Sequence, residues 1–141
     1  KGASGTVAVP LARALDTLDL LIALNGEIGP VPLVFGCRYV RKSPALLAFN
    51  RWDPTFVVSI DGVFNDTSNA YFDAIPPRME AANIPFTQHW GKTNGYTRPR
   101  IQAAYGNDYD AWLAARHRLL PTAADRALFA NDFLRERGLA N

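Results

Sequence analysis

Two stretches alternate between apolar and polar residues with a period of two, and they restrict the fold more than anything else in the chain. In LVFGCRYV, Leu33, Phe35, Cys37 and Tyr39 fall on one side and Val34, Gly36, Arg38 and Val40 on the other. In TFVVSID, Phe56, Val58 and Ile60 share a side suited to a core, and Thr55, Val57, Ser59 and Asp61 form a more polar stripe opposite. Asp61-Gly62 is a turn signal that ends the second run. Strands of this kind bury one face and require a covering layer.

Helical patterns supply that layer. PLARALDTLDLLIALNG places Leu11, Leu15, Leu18 and Ile22 on one helical stripe, with Asn25-Gly26 as its stop. A second helix is predicted over roughly Ser68 to Asn83, with an N-cap in Thr67-Ser68-Asn69 and a kink or split at Pro76-Pro77. RPRIQAAYG, DYDAWLAARHRLL and TAADRALFANDFLRERG are three further helical patterns, the last two starting at Asp or Thr caps. The predicted order is helix, strand, strand, helix and a helical C-terminal tail. That is an α+β fold, an antiparallel sheet covered by helices on one face. The opening residues, KGASGTVAVP, read as a linker or loop (1–10) that follows the missing N-terminal part of a longer chain.

The 141 residues amount to about one domain, and 48% hydrophobic with 20% charged residues is ordinary globular composition. A formal charge of +2 argues against nucleic acid as a partner, because such a partner calls for a clustered basic face. The single cysteine, Cys37, excludes an internal disulfide and a cysteine-based metal cluster, and it fits a reducing compartment. As a strand residue facing away from Arg38, Cys37 reads as a small buried hydrophobe. No apolar run approaches the length of a membrane-spanning helix.

Three places carry functional groups. In IPFTQHWGKTN, His89 and Lys92 lie three residues apart across Gly91. Lys92 suits a donor beside developing negative charge, and His89 a proton shuttle or orienting donor. The alternative is a solvated lysine and a histidine bonded to backbone. Trp90 reads as core packing. Arg38, in the middle of a strand, needs an anionic or carbonyl partner: a structural aspartate such as Asp53 or Asp61, or a bound ligand. Ser59 and Asp61 lie beside Arg38 if the two strands pair, and otherwise form an ordinary strand end. Neither His89 nor His117 has the spacing or acidic company of a metal site. Asn65-Asp66-Thr67 matches a glycosylation sequon, but nothing else points to secretion.

Taken in order, FGCRYVRKSPALLAFNRWDPTFVVSIDG, ANIPFTQHWGKTN, AYGNDYDAWLAARHRLLP and LFANDFLRERGL resemble the C-terminal half of vanillyl-alcohol-oxidase-type FAD-linked oxidases. The aldonolactone and alditol oxidases are the nearest of these. The flavin-linked cholesterol oxidases are more distant. The resemblance spans roughly residues 30 to 139.

It implies a cap or substrate-binding domain over residues 11–85 and a flavin-facing loop with a helical segment over 86–141. FAD would be held mainly by a separate N-terminal FAD-binding domain. The implied activity is oxidation of a CH–OH group of a small alcohol or lactone, with hydride transfer to flavin and oxygen as acceptor. Arg38 matches the arginine of the family's Glu-x-Arg strand, and Lys92 the lysine of its His-Trp-Gly-Lys loop. Catalytic roles are implied for Lys92, Arg38 and His89. Substrate contacts are implied for Arg38, Ser59, Asp61 and Lys92, and cofactor contacts for His89, Lys92 and Asn131. The glutamate of Glu-x-Arg falls at Gly36, which leaves room for a bulkier or less polar substrate such as a sterol. The implied location is cytoplasmic or peripheral to a membrane.

Overall fold

The computed structural model describes residues 2–140 and confirms an α+β architecture with an antiparallel sheet. Strand β1 (Gly2–Pro10) leads through a short 3-10 turn into α1 (Ala14–Ile28), and β2 (Leu33–Val40) and β3 (Thr55–Val63) follow. Helix α2 (Asp66–Ala81) and the two-residue β4 (Thr87–Gln88) complete the set. The sheet order is β2-β3-β1-β4, and every neighbouring pair is antiparallel. Each helical crossover therefore skips one strand, which is the split β-α-β arrangement.

Of the linker expected at 1–10, residue 1 lies outside the described residues and Gly2–Pro10 is instead β1, paired with β3 on one side and β4 on the other. Its small residues hide the strand from a propensity reading. Gly5 shows why they are small. A Cβ built there would lie 2.5 Å from Cε1 of Phe72, a buried ring of α2. The strand gives up side-chain volume so that the helix can approach it, and ladder bonds on both sides compensate.

Register places Val7, Val9, Phe56, Val58 and Ile60 on one face of the sheet. Together with Leu21 and Leu24 of α1 and Tyr71, Ile75 and Met79 of α2, they form the core. Helix α1 presents a different stripe from the one expected. Ala14, Thr17, Leu21 and Leu24 are buried, while Leu15 and Ile22 are 74% and 58% exposed. The buried side thus combines two small residues with two leucines. Thr17 satisfies its hydroxyl on the Arg13 carbonyl, 2.7 Å away. Asn25-Gly26 does not stop the helix, which runs to Ile28 and ends at Gly29 with φ 114°. Asn25 instead bonds both the carbonyl and the amide of Val31, securing the exit into β2.

Helix α2 starts two residues earlier than Ser68, behind a capping box whose N-cap is Asn65. Asn65 accepts from the Ser68 amide at 2.8 Å, and Ser68 accepts from the Asn65 amide at 2.9 Å. The helix runs unbroken through Pro76 and Pro77, although each proline withholds an amide from the ladder. Pro76 is buried, and Ile75 and Met79 on either side of it anchor both halves in the core. Asn65→Ala removes half of the capping box, and the expected cost is about 1 kcal/mol. A chemical-denaturation midpoint measures it.

Compactness divides the chain differently from the expected boundary at 86. One unit holds the residues up to Pro44 and Ala48–Gly95, so the His89–Lys92 loop belongs with the sheet. The second unit holds Ala45–Leu47 and the residues from Tyr96 onward. It contains α3 (Arg98–Tyr105), α4 (Asn107–Leu119), α5 (Ala123–Leu128) and α6 (Asp132–Glu136). The pattern TAADRALFANDFLRERG is thus two helices rather than one, and Asn131 caps the second by accepting from the Leu134 amide at 2.9 Å. Helix α4 begins at Gly106 with no side-chain cap, not at an aspartate. Thr122 caps α5 in a box with Asp125, and the hydroxyl bond from Thr122 holds the Asp125 carboxyl below its ordinary range. Tyr109 closes the unit by donating to the Gly138 carbonyl at 2.7 Å.

Candidate functional site

The sheet face opposite the helices collects polar side chains from three strands. Ser4 lies across from Asp61 and Thr6 across from Ser59. Gly36 is also paired with Ser59, and Arg38 with Val57. Directly paired residues share a face, so Ser4, Thr6, Gly36, Arg38, Ser59 and Asp61 line one surface.

Arg38 finds neither of the aspartates considered as structural partners. Its Nη2 donates to Ser59 Oγ at 2.8 Å, and among the described residues Arg38 makes no ion pair. Ser59 is buried and lies 3.5 Å from the Thr6 hydroxyl, so a neutral hydroxyl pair holds one end of a charged fork. The other guanidinium donors stay available. Asp61 is engaged elsewhere, by Ser4 Oγ at 2.5 Å and Lys92 Nζ at 3.7 Å.

The loop after β4 folds back along β1. The His89 amide donates to the Thr6 carbonyl at 3.3 Å, and the Thr93 amide to the Ser4 carbonyl at 2.9 Å. Between these anchors the Lys92 amide turns onto the His89 carbonyl, which brings the lysine side chain over Asp61. Asn94 Nδ2 braces the turn by donating to the Lys92 carbonyl at 2.8 Å. The His89 ring packs on Phe49 with centroids 5.2 Å apart, and its Nδ1 accepts from the Gly91 amide at 3.1 Å. An accepting Nδ1 places the ring proton on Nε2, which is left as a donor. A Cβ at Gly91 would lie 3.4 Å from the His89 ring, at the edge of ordinary contact.

Side chains of Lys92 and Asp61 are 28% and 55% exposed. A pair this exposed adds about 0–1 kcal/mol to stability. The fold gains little from Lys92, which leaves its charge for a ligand.

Arg38, Ser59, Asp61, Lys92 and His89 therefore belong to one sheet face and the loop beside it. Asn131 belongs to the second unit, where its side chain is occupied as a helix cap. Two expectations are overturned. Cys37 is exposed rather than buried, because β2 is the edge strand of the sheet. Trp90 is half-buried rather than a core residue. Ser4 and Thr6 were missed as site residues because their strand read as a linker. The alternation of Ser4, Thr6 and Ala8 with Val7 and Val9 was the available signal.

Among the described residues no group of three or more His, Cys, Asp or Glu could hold a metal ion, and no helix is long and apolar enough to cross a membrane. Neither a protein-family model nor a curated protein matches the chain.

Proposed function

We propose that this chain is the substrate-binding portion of an FAD-dependent oxidoreductase acting on a CH–OH group of the sugar-lactone or alditol type. One observation carries the reading. Residues 38, 59, 61 and 89–92, singled out by the resemblance in three separate segments, fall on one polar sheet face and its adjoining loop. The donor set suits the electron-rich edge of a flavin. Arg38, Lys92 and His89 Nε2 all donate, and the one carboxylate among them, Asp61, already has two partners. A bound flavin, held mainly by an FAD-binding domain, supplies the two-electron acceptor.

The residues of this chain then bind and orient. Ser59 fixes the Arg38 fork, and the free donors of that fork take a substrate oxygen. Lys92 places a positive charge where negative charge develops during oxidation, and this favours the transition state over the ground state. His89, locked by Gly91, holds a donor in fixed orientation.

A second reading, oxidation of a sterol or other bulky alcohol, draws support from Gly36. A Cβ there would only reach ordinary contact with Ser59, so the strand leaves space above it. The test uses the complete protein titrated with FAD and reads the visible flavin band. Under anaerobic conditions a lactone or alditol is expected to bleach that band. Bleaching by a sterol alone selects the second reading. A preparation that stays colourless with added FAD overturns both and marks a non-catalytic α+β module.

A further inference from the structure

We propose that the second unit carries an oxyanion-binding pocket bounded by α4, α5 and α6. A cavity of about 390 Å³ opens there, within the size range of small-ligand sites. His117, Arg126 and Arg135, which carry nitrogen donors, line it together with Ala123, Ala127, Ala130 and Ala140. Among the described residues no carboxylate lines it.

Arg126 is held by two backbone carbonyls before any ligand arrives, and Arg135 is tied more loosely by an exposed pair. Arg126 Nη1 donates to the carbonyls of Leu120 and Pro121, each at 2.9 Å. Arg135 donates to Asp132 through Nη1 at 2.8 Å and to the Ala130 carbonyl through Nη2 at 3.5 Å. Of the other acids nearby in sequence, Asp125 is held by the Thr122 hydroxyl at 2.6 Å and Glu136 pairs with Arg137 at 3.3 Å. The Nε and Nη2 groups of Arg126 make no hydrogen bond within the described residues, and neither does the His117 ring. A guanidinium fork anchored like that of Arg126 has already lost its rotamer freedom, so ligand binding does not lose it again. The planar paired N–H groups of both arginines match a carboxylate or a phosphate. The alanines leave the volume in which the body of such a ligand fits. This pocket is formed by the second unit alone and does not depend on the flavin reading.

The experiment titrates inorganic phosphate and succinate, separately and at fixed ionic strength, into the 141-residue chain while amide NMR shifts are followed. Saturable shifts confined to α4–α6 are expected. Tighter phosphate binding would identify a phosphate monoester as the ligand class, and tighter succinate binding a carboxylate. Arg135→Gln and His117→Gln are each expected to weaken binding about tenfold, the scale of one charge-assisted hydrogen bond. Arg118→Gln, which alters an exposed residue of α4 outside the pocket wall, is expected to leave it unchanged. The absence of saturable shifts with both anions overturns the proposal. So does an equal loss in the Arg118 variant, which would mark diffuse attraction to a basic surface.

Discussion

On the proposed oxidoreductase reading, Lys92→Ala in the complete protein with FAD is expected to lower turnover about a hundredfold, and Arg38→Ala the same or more. A hundredfold corresponds to about 2.7 kcal/mol of transition-state stabilisation. That is the scale of one preorganised donor facing developing charge. Neither change is expected to move the melting temperature appreciably. Lys92 takes part only in an exposed pair, and Arg38 is held by a hydroxyl rather than by a buried carboxylate. Steady-state kinetics paired with thermal denaturation therefore separates a chemical role from a structural one. Ser59→Ala frees the guanidinium without removing its charge, so a smaller loss is expected there. Near-wild-type rates in both cation variants would remove these residues from the chemistry.

Tyr71→Ala is expected to be the most damaging single change to the fold, at about 3–5 kcal/mol, the range for truncating a core aromatic. The ring is fully buried between the sheet and α1, and its hydroxyl donates to the Leu21 carbonyl at 3.0 Å. Tyr71→Phe keeps the ring and loses only that bond, so about 1 kcal/mol is expected. The two variants also differ in their response to alkali. Burial pushes the Tyr71 phenol above its ordinary value of 10.0. Above that pH the unfolded chain ionises first and binds fewer protons than the folded one. Stability therefore falls as pH rises from about 10 towards the folded value, and it is untouched below. Tyr71→Phe abolishes this part of the slope. Denaturation curves at several alkaline pH values check both expectations.

The elements readable from sequence were those whose side chains do the packing. The alternations at Leu33–Val40 and Phe56–Asp61 mark strands because the period of two is that of the pleat, and the polar stripe of Ser59 and Asp61 follows from it; burial does not follow the same period, since β2 has no fully buried residue and Thr55 to Ile60 of β3 are all buried. Strand β1 and the buried side of α1 were opaque for one shared reason. Gly5 leaves out the side chain that would meet Phe72, and Ala14 and Thr17 put small side chains on the buried side of α1. Small residues carry no apolar signal even where they sit at the centre of a fold. The prolines of α2 misled in the opposite sense, since tertiary anchoring at Ile75 and Met79 carries the helix across them. In the site, Arg38 was visible as an arginine in need of a partner. That the partner would be a hydroxyl pair followed only once β1 had been placed beside β3. Asn131 stood within a recognisable motif, but as a capping residue its side chain serves α6.

The placement of β1 also sets the order in which the molecule can assemble. Ser4 and Thr6 meet Asp61 and Ser59 more than fifty residues later in the chain, and the return of Thr93 onto Ser4 comes later still. During synthesis β1 therefore waits for β3, which β2 precedes by a much shorter loop, and it gains β4 only later. Pairings of such long sequence separation close late and slowly. A waiting strand rich in valine and isoleucine would invite pairing with other chains. The glycine, alanine, serine and threonine of β1 make it a poor template in the interval. The same small residues that let α2 pack closely thus also make β1 a weak pairing edge, and the loop carrying Lys92 joins the polar face only once Thr93 can reach Ser4.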